Sequence, residues 1–383
     1  MEKIYTALGL MSGTSMDGVD ASIISSIDGI QYDEKFNRYY EYDKDMYEKL
    51  SSLRDKIFTS KDLKKLTNEI KSLEKEITLF HAKVANDVNN SVKKTSIPSP
   101  ELIGFHGQTI FHNPKEKISV QLGDGKLLSQ LTKKTVVYDF RKNDLENGGQ
   151  GAPLVPIFHE SLRDKVYDNS IPLIFINIGG ITNVTCFHSY EKFEAPMFAS
   201  DIGPGNCLID EWMRKNSKKK FDKDGLIAKS GKINELILNQ TLDNFGATFN
   251  NSLDIKDFDI SFARGLSLED GASTITNFTA EIITANLKEL LIKNKYDSGD
   301  DFPNFIICGG GRKNKYLMDL LREKIRYKKF QLIDEHNVDG DFIESQAFAF
   351  LAVRSYLNLP ISFPNTTGCK KPCTGGVIVK NFN

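Results

Sequence analysis

Short apolar stretches that end in small polar turns are the feature that most constrains how this chain folds. Residues 4–10 and 19–24 are apolar and flank a turn rich in Gly, Ser, Thr and Asp. Residues 171–178 and 181–187 flank Gly179-Gly180 in the same way. Paired apolar runs around such a turn are typical of β-hairpins. We therefore predict one hairpin at the start of each half of the chain.

Between the two predicted hairpins, apolar residues recur at steps of three and four. They are Leu63, Leu66, Ile70, Leu73, Ile77, Phe80 and Val84. This period predicts one long helix with a single apolar stripe, which Thr59 or Ser60 would cap. The stripe suits either a coiled-coil dimer arm or a surface helix docked on its own domain. Three heptads are marginal for a coiled coil, so we favour the docked helix.

Strand-like and helix-like segments alternate along the rest of the chain. Strands are predicted at 102–109, where the strand ends in a polar turn, and at 135–138 and 305–308. Helices are predicted near 273–293 and 344–357. This alternation favours an α/β fold with two similar halves and a cleft between them. A length of 383 residues is also more than one hydrophobic core usually serves, which favours two domains.

Charge, hydropathy and cysteine content argue against several other classes of protein. The net charge is −1, so there is no basic excess to attract nucleic acid. No apolar run approaches the roughly 20 residues that span a bilayer, and no signal-peptide core follows the N-terminus. We therefore expect a cytoplasmic protein with no membrane partner. The five cysteines are dispersed, and Cys369 and Cys373 are expected to be free thiols near a turn.

Four polar turns that contain glycine follow strand-like stretches, and such turns suit an anion. They lie at residues 12–18, at 107–109, at Gly179-Gly180 together with 201–206, and at 309–311. Glycine lets backbone N–H groups approach a phosphate closely, and small hydroxyls add donors. The chain has no Walker A motif, so a nucleotide would be bound by hairpin turns rather than by a P-loop. A single such turn is weak evidence, because ordinary hairpins use the same residues.

The ordered series of motifs is far more specific than any one turn. The motifs are Met11-Ser12-Gly13-Thr14-Ser15-Met16-Asp17-Gly18-Val19-Asp20, Gly104-Phe105-His106-Gly107-Gln108-Thr109, Asp139-Phe140-Arg141, Gly148-Gly149-Gln150-Gly151-Ala152-Pro153, Asn177-Ile178-Gly179-Gly180-Ile181, Asp201-Ile202-Gly203-Pro204-Gly205-Asn206, Cys308-Gly309-Gly310-Gly311 and Thr367-Gly368. In this order, and over essentially the whole chain, they resemble the anhydro-N-acetylmuramic acid kinases. The resemblance implies the two-lobed actin-like ATPase fold of sugar kinases and 70-kDa chaperones. Its lobes would be ribonuclease H-like, with ATP and sugar in the interlobe cleft.

The resemblance also assigns residues to ATP and Mg²⁺. The nucleotide-binding residues that it implies are Gly13, Thr14, Ser15, Met16, Asp17, Gly18, Val19, Asp20, Gly179, Gly180, Gly309, Gly310 and Gly311. Residues 13–20 would face the phosphates, and residues 309–311 the adenosine side. Asp17 and Asp20 would be the nearest carboxylates to the phosphates and are candidates for orienting Mg²⁺, often through water. If Asp20 does not orient Mg²⁺, it would cap the turn of the first predicted hairpin.

In the family that the chain resembles, the anomeric carbon of the sugar is tied to its own O6. Water must attack that carbon while O6 leaves with the γ-phosphoryl group of ATP, which gives N-acetylmuramic acid 6-phosphate. One base has to take a proton from the water. Asp201 matches the family's catalytic carboxylate; otherwise it would be the N-cap of the helix that follows. Asp139 is the alternative base.

The remaining candidates are assigned to the sugar pocket. They are His106, Gln108, Thr109, Asp139, Arg141, Gln150, Asn206 and Glu344. His106 is a weak candidate, because a lone histidine after a buried strand is more often structural. Glu344 would either face the phosphates or favour the dipole of its helix. Ile202 stands where a small polar residue is expected, which affects only the fine shape of the pocket.

The expected domain division places residues 1–135 and 358–383 in an N-terminal lobe with the phosphate-binding hairpin. Residues 136–357 would form a C-terminal lobe with Asp201 and the adenosine-side turn. The resemblance implies a small sugar as partner, a role in cell-wall recycling and amino-sugar catabolism, and a homodimer. An ordinary hexose or amino-sugar kinase on the same fold is the rival enzyme. A non-enzymatic actin-like ATPase scaffold is the rival from another class, although two lobes use nearly all of the chain.

Overall fold

The computed structural model describes residues 3–166, 172–187, 197–245, 253–294, 302–325 and 330–380. Two compact units divide the chain, the first made of residues 1–162 with 342–383 and the second of residues 163–341. Each unit carries its own β-sheet. None of the helices in these described ranges is long and apolar enough to cross a membrane.

Strands and helices alternate along the chain, which confirms the predicted α/β class. The strands are β1 (Ile4–Ser12), β2 (Gly18–Ile27), β3 (Gln31–Glu41), β4 (Leu102–Asn113), β5 (Ile118–Leu122), β6 (Thr135–Tyr138), β7 (Leu173–Ile178), β8 (Ile181–Phe187), β9 (Met197–Pro204), β10 (Asn304–Cys308), β11 (Phe330–Leu332) and β12 (Val377–Val379). The helices are α1 (Lys44–Lys56), α2 (Ser60–Lys65), α3 (Thr67–Val92), α4 (Gly125–Thr132), α5 (Lys142–Glu146), α6 (Pro156–Val166), α7 (Cys207–Asn216), α8 (Leu226–Ser230), α9 (Glu235–Asn244), α10 (Leu268–Lys293), α11 (Lys315–Ile325), α12 (Ile343–Tyr356) and α13 (Pro364–Thr367).

The two sheets share one strand order. In the first unit β3, β2 and β1 are antiparallel neighbours, and β4 and β6 continue the sheet parallel to β1. In the second unit β9, β8 and β7 are antiparallel, and β10 and β11 follow in parallel. Both predicted hairpins, β1–β2 and β7–β8, are therefore confirmed. The repeated order also confirms the two similar halves and is that expected of an actin-like ATPase fold.

The first unit contains more of the chain than the predicted N-terminal lobe. β6 lies beside β4, and β12 extends this edge of the sheet by pairing with β6. α12 packs on β1, β2 and β4. Residues 136–162 and 342–357, which the sequence analysis assigned to the C-terminal lobe, therefore lie in the unit that carries the first hairpin. The contacts that hold them there join segments far apart in sequence, so no local pattern marks the boundary.

The predicted long helix is two helices. α2 is preceded by Thr59, whose capping box closes its first turn, and it ends at Lys65; Leu66 separates it from α3. The stripe residues Leu73, Ile77 and Val84 are buried in the core of the first unit together with side chains of β1, β2 and β4. The docked-helix interpretation is therefore confirmed, with a break that the apolar period alone does not reveal.

Candidate active site

The turn between β1 and β2 exposes its hydroxyl groups. The Met16 N–H donates to the Gly13 carbonyl oxygen (3.2 Å), and Met16 has a left-handed φ of 56°. The Met16 side chain is buried, whereas Thr14 and Ser15 are exposed. Exposed hydroxyls beside backbone N–H groups in such a turn suit a phosphate oxygen.

A buried hydrogen-bond network anchors this turn to β4. Gln108 Nε2 donates to the Gly13 carbonyl oxygen (2.9 Å), and Ser12 Oγ lies 2.6 Å from Gln108 Oε1. The Tyr42 hydroxyl donates to Ser12 Oγ (3.1 Å), and burial raises the pKa of Tyr42, which keeps it protonated. Neither Ser12 nor Tyr42 is predicted as a site residue from the sequence. Ser12 stands at the edge of the motif, but nothing local marks Tyr42.

Residues 107–109 are not the turn that the sequence analysis predicts. They lie within β4, which continues beyond them because β5 pairs with its second half. The pairing of β1 with β4 shifts register here, so that His106 is the extra residue and Gly107 has a left-handed φ of 72°. Thr109 Oγ1 accepts a hydrogen bond from Gln121 Nε2 (3.2 Å). Residues 107–109 are part of a strand and not of a loop because β5 pairs with this part of β4.

Asp17 and Asp20 occupy different positions at the hairpin. Ser15 Oγ donates to Asp17 Oδ1 (2.5 Å), and the Asp17 carbonyl oxygen accepts from the Tyr39 hydroxyl (2.8 Å). Asp20 lies within β2 opposite Met11, so it does not cap the turn. Both aspartates are half-buried.

The N-terminus of α12 lies at the same end of the first sheet as this turn. A Cβ placed on Gly9 of β1 would lie 1.8 Å from the Ser345 carbonyl oxygen, so the two backbones are in direct contact. The other end of α12 meets the start of β1, where the ring of Tyr356 lies edge-on to that of Tyr5. α12 therefore runs antiparallel to β1. The N-terminus of α12 and Glu344, in its first turn, lie towards the end of β1 that carries the turn.

His106 and Arg141 bind each other. Arg141 Nη2 donates to His106 Nε2 (3.0 Å), and His106 Nδ1 donates to the Gly107 carbonyl oxygen (2.9 Å). Arg141 Nη1 donates to the Gly151 carbonyl oxygen (2.8 Å). Burial and the neighbouring guanidinium hold the pKa of His106 well below its usual value, so the ring is neutral. Both ring nitrogens are thus engaged within the protein, as in a structural histidine.

Asp139 follows β6 in a left-handed conformation with φ 56°. Non-glycine residues are uncommon in this region, although Asp tolerates it better than most. Burial raises the pKa of the Asp139 carboxyl, Lys142 opposes the rise and Glu146 adds to it. Strained backbone and raised carboxyl pKa values both concentrate at functional sites. These features keep Asp139 a candidate for the sugar pocket.

A buried carboxylate that the sequence analysis missed organises the loop that contains Gln150. Asp144 Oδ2 accepts from the Gly151 N–H (2.7 Å), and Asp144 Oδ1 accepts from Thr367 Oγ1 (2.6 Å). The Gln150 N–H donates to the Thr367 carbonyl oxygen (2.8 Å). Two motifs that stand far apart in the sequence therefore form one loop cluster around Asp144, and no local pattern points to that residue.

Asp201 lies in β9, opposite Asn183 of β8, and not in a turn before a helix. α7 begins only at Cys207, so Asp201 is not its N-cap. The Asp201 side chain is buried, and its Oδ2 accepts a hydrogen bond from the Leu253 N–H (2.7 Å). The backbone N–H donor fixes the orientation of the carboxyl group. Asp201 is therefore an oriented carboxylate on a strand.

The turn between β7 and β8 is joined to the segment that follows β9. The N–H groups of Gly205 and Asn206 donate to the carbonyl oxygens of Gly180 and Gly179 (2.9 and 2.8 Å). These bonds hold Asn206 beside the glycine turn, just before α7 begins.

Gly310 is the exposed residue of the third glycine segment, between half-buried Gly309 and buried Gly311. A Cβ on Gly309 would lie 2.5 Å from Asn177 Oδ1, so this backbone packs directly on the end of β7. A Cβ on Gly310 would lie 3.9 Å from Asn206 Nδ2. The second unit therefore brings together Asn206 and the two glycine segments that the sequence analysis assigns to the nucleotide.

A metal bound with a nucleotide would find carboxylates at the hairpin of the first unit. Mg²⁺ in nucleotide sites is held by phosphate oxygens, water and one or two carboxylates. The half-buried Asp17 carboxylate beside the exposed turn fits that role. Within the described ranges, no group of three or more His, Cys, Asp and Glu side chains is arranged to hold a metal ion.

Comparison with known proteins gives matches over nearly the full chain. Residues 5–381 match the model of the anhydro-N-acetylmuramic acid kinase family. The chain is 51% identical over 388 residues to an anhydro-N-acetylmuramic acid kinase from Pelagibacter ubique, covering 100% of both chains. It is 36% identical over 387 residues to one from Brucella canis, covering 99% of this chain and 100% of the relative.

Two solved structures resemble the chain at low sequence identity. A ROK family glucokinase from Streptomyces griseus, in complex with glucose and AMPPNP, matches with a TM-score of 0.39 and 12% identity over 91% of this chain and 99% of that one. A PilM–PilN type IV pilus biogenesis complex matches with a TM-score of 0.42 and 10% identity over 91% of this chain and 98% of that one.

Proposed function

The chain belongs to the anhydro-N-acetylmuramic acid kinase family, and from that premise we propose that this kinase opens the 1,6-anhydro ring of anhydro-N-acetylmuramic acid by hydrolysis. The product would be N-acetylmuramic acid 6-phosphate, an intermediate of cell-wall recycling and amino-sugar catabolism. The single observation that carries the proposal is the family match over residues 5–381.

The bond changes balance with one water molecule and one ATP. The water oxygen forms a bond to the anomeric carbon, and the bond from that carbon to O6 breaks. O6 takes the γ-phosphoryl group, and the bond between that group and ADP breaks. One proton of the water must be accepted by a base, because the attacking oxygen otherwise develops positive charge.

We assign the base to Asp201. Its side chain is buried and its Oδ2 accepts a hydrogen bond from the Leu253 N–H, which holds the carboxyl group in one orientation. A fixed acceptor lowers the entropic cost of aligning the attacking water. Asp139 remains the alternative, supported by its raised pKa and left-handed backbone.

We assign the phosphates of ATP to residues 13–20. The exposed hydroxyls of Thr14 and Ser15 and the N-terminus of α12 would supply donors and positive potential. Mg²⁺, when bound, would neutralise charge on the phosphates. Asp17 would orient it, with Asp20 further along β2. Gly310, the exposed glycine beside Asn206, would meet the adenosine side.

The sugar-pocket candidates divide into two groups. The side chains of Gln108, His106 and Arg141 are engaged with the protein, so we assign them to positioning the hairpin and the loop before α6. We keep as candidates for direct contact with the sugar Thr109, whose hydroxyl also accepts a hydrogen bond from Gln121, together with Asp139, Gln150, Asn206 and Glu344.

Asp201→Asn tests the base. Asparagine keeps the size of the side chain and an oxygen for the Leu253 N–H, but it cannot take a proton from water. We expect ADP release that depends on anhydro-N-acetylmuramic acid to fall by about 10² to 10⁴-fold, the usual contribution of a general base. ATP binding, measured by calorimetry, should be unchanged. Asp243→Asn, an exposed carboxylate on α9, is the matched control and should keep full activity.

Mass spectrometry of the product tests ring opening separately. Hydrolytic opening adds one water and one phosphoryl group to the sugar, whereas phosphorylation of a free hydroxyl on the intact ring adds the phosphoryl group alone. N-acetylmuramic acid, which has a free 6-hydroxyl, is assayed beside the anhydro sugar. Faster turnover of the free sugar would favour an ordinary amino-sugar kinase. ATP hydrolysis that ignores both sugars would favour a scaffold ATPase.

A further inference from the structure

A nearly buried arginine, Arg312, stands two residues after the exposed Gly310. Arg312 belongs to the short 3-10 helix Gly310–Lys313, and its side chain is only 3% exposed. Its Nε and Nη2 donate to the two carboxylate oxygens of Asp334 (2.6 and 2.9 Å), a bidentate pair. Its Nη1 donates to Asp341 Oδ1 (2.8 Å). Asp339 Oδ1 lies 3.8 Å from Nη2.

The same guanidinium holds the glycine backbone. Arg312 Nη1 also donates to the Gly309 carbonyl oxygen (3.1 Å), and the Arg312 N–H bonds to the same oxygen (3.2 Å). Gly309 has a left-handed φ of 78°. The arginine therefore fixes the backbone conformation of Gly309, the first residue after β10. The position of the exposed Gly310, which follows it, is fixed as a result.

Arg312 and Lys313 are paired with Asp334 and Asp341 within the second unit. Hydrogen bonds from the guanidinium hold the pKa of Asp334 below its usual range, and the Asp341 pKa is lowered by Lys313 and Arg312 against the cost of burial. Gly340 packs against this group, since a Cβ there would lie 2.5 Å from Arg312 Nε. A buried cation held by two carboxylates and a carbonyl oxygen cannot shift without leaving charges unpaired. We call Arg312, Asp334 and Asp341 the arginine cage.

We propose that Arg312 is a positioning residue for the nucleotide, which acts by holding Gly309-Gly310-Gly311 in the conformation that meets the adenosine side. This inference rests on the proposed function, because that function assigns the segment to ATP. The guanidinium donates four hydrogen bonds, to Asp334, Asp341 and the Gly309 carbonyl oxygen. Its effect on the nucleotide would therefore pass through the backbone of residues 309–311. Lysine cannot replace it, because an ammonium group lacks the planar fork that grips Asp334 while reaching Gly309.

The test compares Arg312→Lys and Arg312→Gln with Arg322→Lys and Arg322→Gln. Arg322 is the matched control, since it lies on α11 of the same unit, is 44% exposed and is 3.9 Å from Asp319. We expect the Arg312 variants to raise the KM for ATP about tenfold, while kcat and the KM for the sugar stay near their original values. Arg322 variants should change none of the three.

A purely structural role would give a different result. It would lower the melting temperature and the fraction of active enzyme, and hence the apparent kcat, with the KM for ATP unchanged; that outcome overturns the proposal. If the Arg312 variants do not fold, Asp334→Asn serves instead, because it keeps the side-chain size and weakens the grip on the guanidinium. It should raise the KM for ATP in the same direction by a smaller factor.

Equilibrium binding separates this proposal from the proposed function. The affinity for ATP alone is measured by calorimetry on the wild type and the same variants. Weaker ATP binding in the Arg312 variants supports the positioning role even if the wild type shows no turnover of the anhydro sugar. If the wild type turns over the anhydro sugar and the Arg312 variants bind ATP as tightly as the wild type does, the positioning role is rejected and the kinase assignment stands.

Discussion

Asp139 combines two features that oppose folding. Its backbone is left-handed, and its carboxyl is buried enough for its pKa to be raised. A raised pKa means that the folded protein holds the proton more tightly than the unfolded chain does. The ionised group therefore costs stability at every pH above the folded-state pKa. A residue retained against such costs is a candidate for function.

Two substitutions at Asp139 should differ in their effect on stability. Asp139→Asn removes the buried charge and keeps a side chain that tolerates positive φ, so we expect the free energy of unfolding to rise at pH 7.5. Asp139→Ala also removes the charge but strains the left-handed backbone, at a cost of about 1–2 kcal/mol, so it should be the less stable of the two. Urea unfolding monitored by circular dichroism measures both. An Asn variant less stable than the wild type would contradict the argument, and lost turnover in a stabilised variant would link Asp139 to the sugar.

At the scale of single residues, the sequence is most informative where a motif names a residue and least informative about what that residue touches. The order of the motifs alone singles out Asp201 and Gln108. Only the fold reveals that Gln108 bonds to Ser12, from which it is separated by 96 positions. The same holds for Asp144, whose bond to Thr367 spans 223 positions. Side-chain partners at such separations leave no local pattern.

At the scale of elements, α12 depends on a pair of adjacent glycines. Gly9 and Gly104 are direct neighbours on β1 and β4. A Cβ on Gly9 would lie 1.8 Å from the Ser345 carbonyl oxygen, and one on Gly104 would lie 2.1 Å from the Phe348 carbonyl oxygen. The glycines let the helix backbone rest on the sheet. This contact fixes the position of the α12 N-terminus near the β1–β2 turn.

Gly9→Ala should therefore be strongly destabilising. A carbonyl oxygen cannot rotate away as a side chain can, so α12 must move or the sheet must bend. Overpacking of this kind costs about 1–3 kcal/mol, occasionally more, and we expect the upper end. Gly13→Ala is the matched control, because its Cβ would meet nothing closer than 3.9 Å. Chemical denaturation of both variants measures the difference, and equal stabilities would show that α12 adjusts freely.

Elements with strong periodic signals were predictable, and those set by distant pairing were not. The β1–β2 hairpin and the docked helix follow from apolar spacing and turn residues. β4 extends past residues 107–109 because β5 pairs with it, and Asp201 lies on a strand because β8 pairs with that segment. In both places glycine and polar residues resemble a turn, and the pairing partner overrides them.

At the scale of the whole molecule, both sheets contain the same order of five strands. The β1–β2 turn of the first unit and the β7–β8 turn of the second occupy equivalent places in the two strand orders. β4, which contains Gly107, and β10, which Gly309 follows directly, likewise occupy equivalent places, beside β1 and β7. The glycine motifs of this family therefore recur at equivalent points of a duplicated design.

The first unit should be unusually sensitive to acid. Burial lowers the pKa of its histidines, to about 4 for His81 and about 3 for His112 and His159, and to well below the usual value for His106. The unfolded chain takes up these protons near pH 6.5, whereas the folded unit cannot. The free energy of unfolding is therefore unaffected by these histidines above that pH. It decreases as the pH falls from 6.5 towards the pKa values that the histidines have in the folded protein.

The four histidines together set the size of the effect. Each contributes about 1.4 kcal/mol per pH unit below pH 6.5, so the four contribute on the order of 5 kcal/mol per unit. Against a typical stability of about 5–15 kcal/mol, we expect the first unit to unfold between about pH 4 and 5.5. Urea unfolding followed by far-UV circular dichroism at half-unit steps measures the slope. His159→Gln should reduce that slope by about a quarter whatever it does to stability at neutral pH, and a stability that stays level from pH 7 to 5 would refute the account.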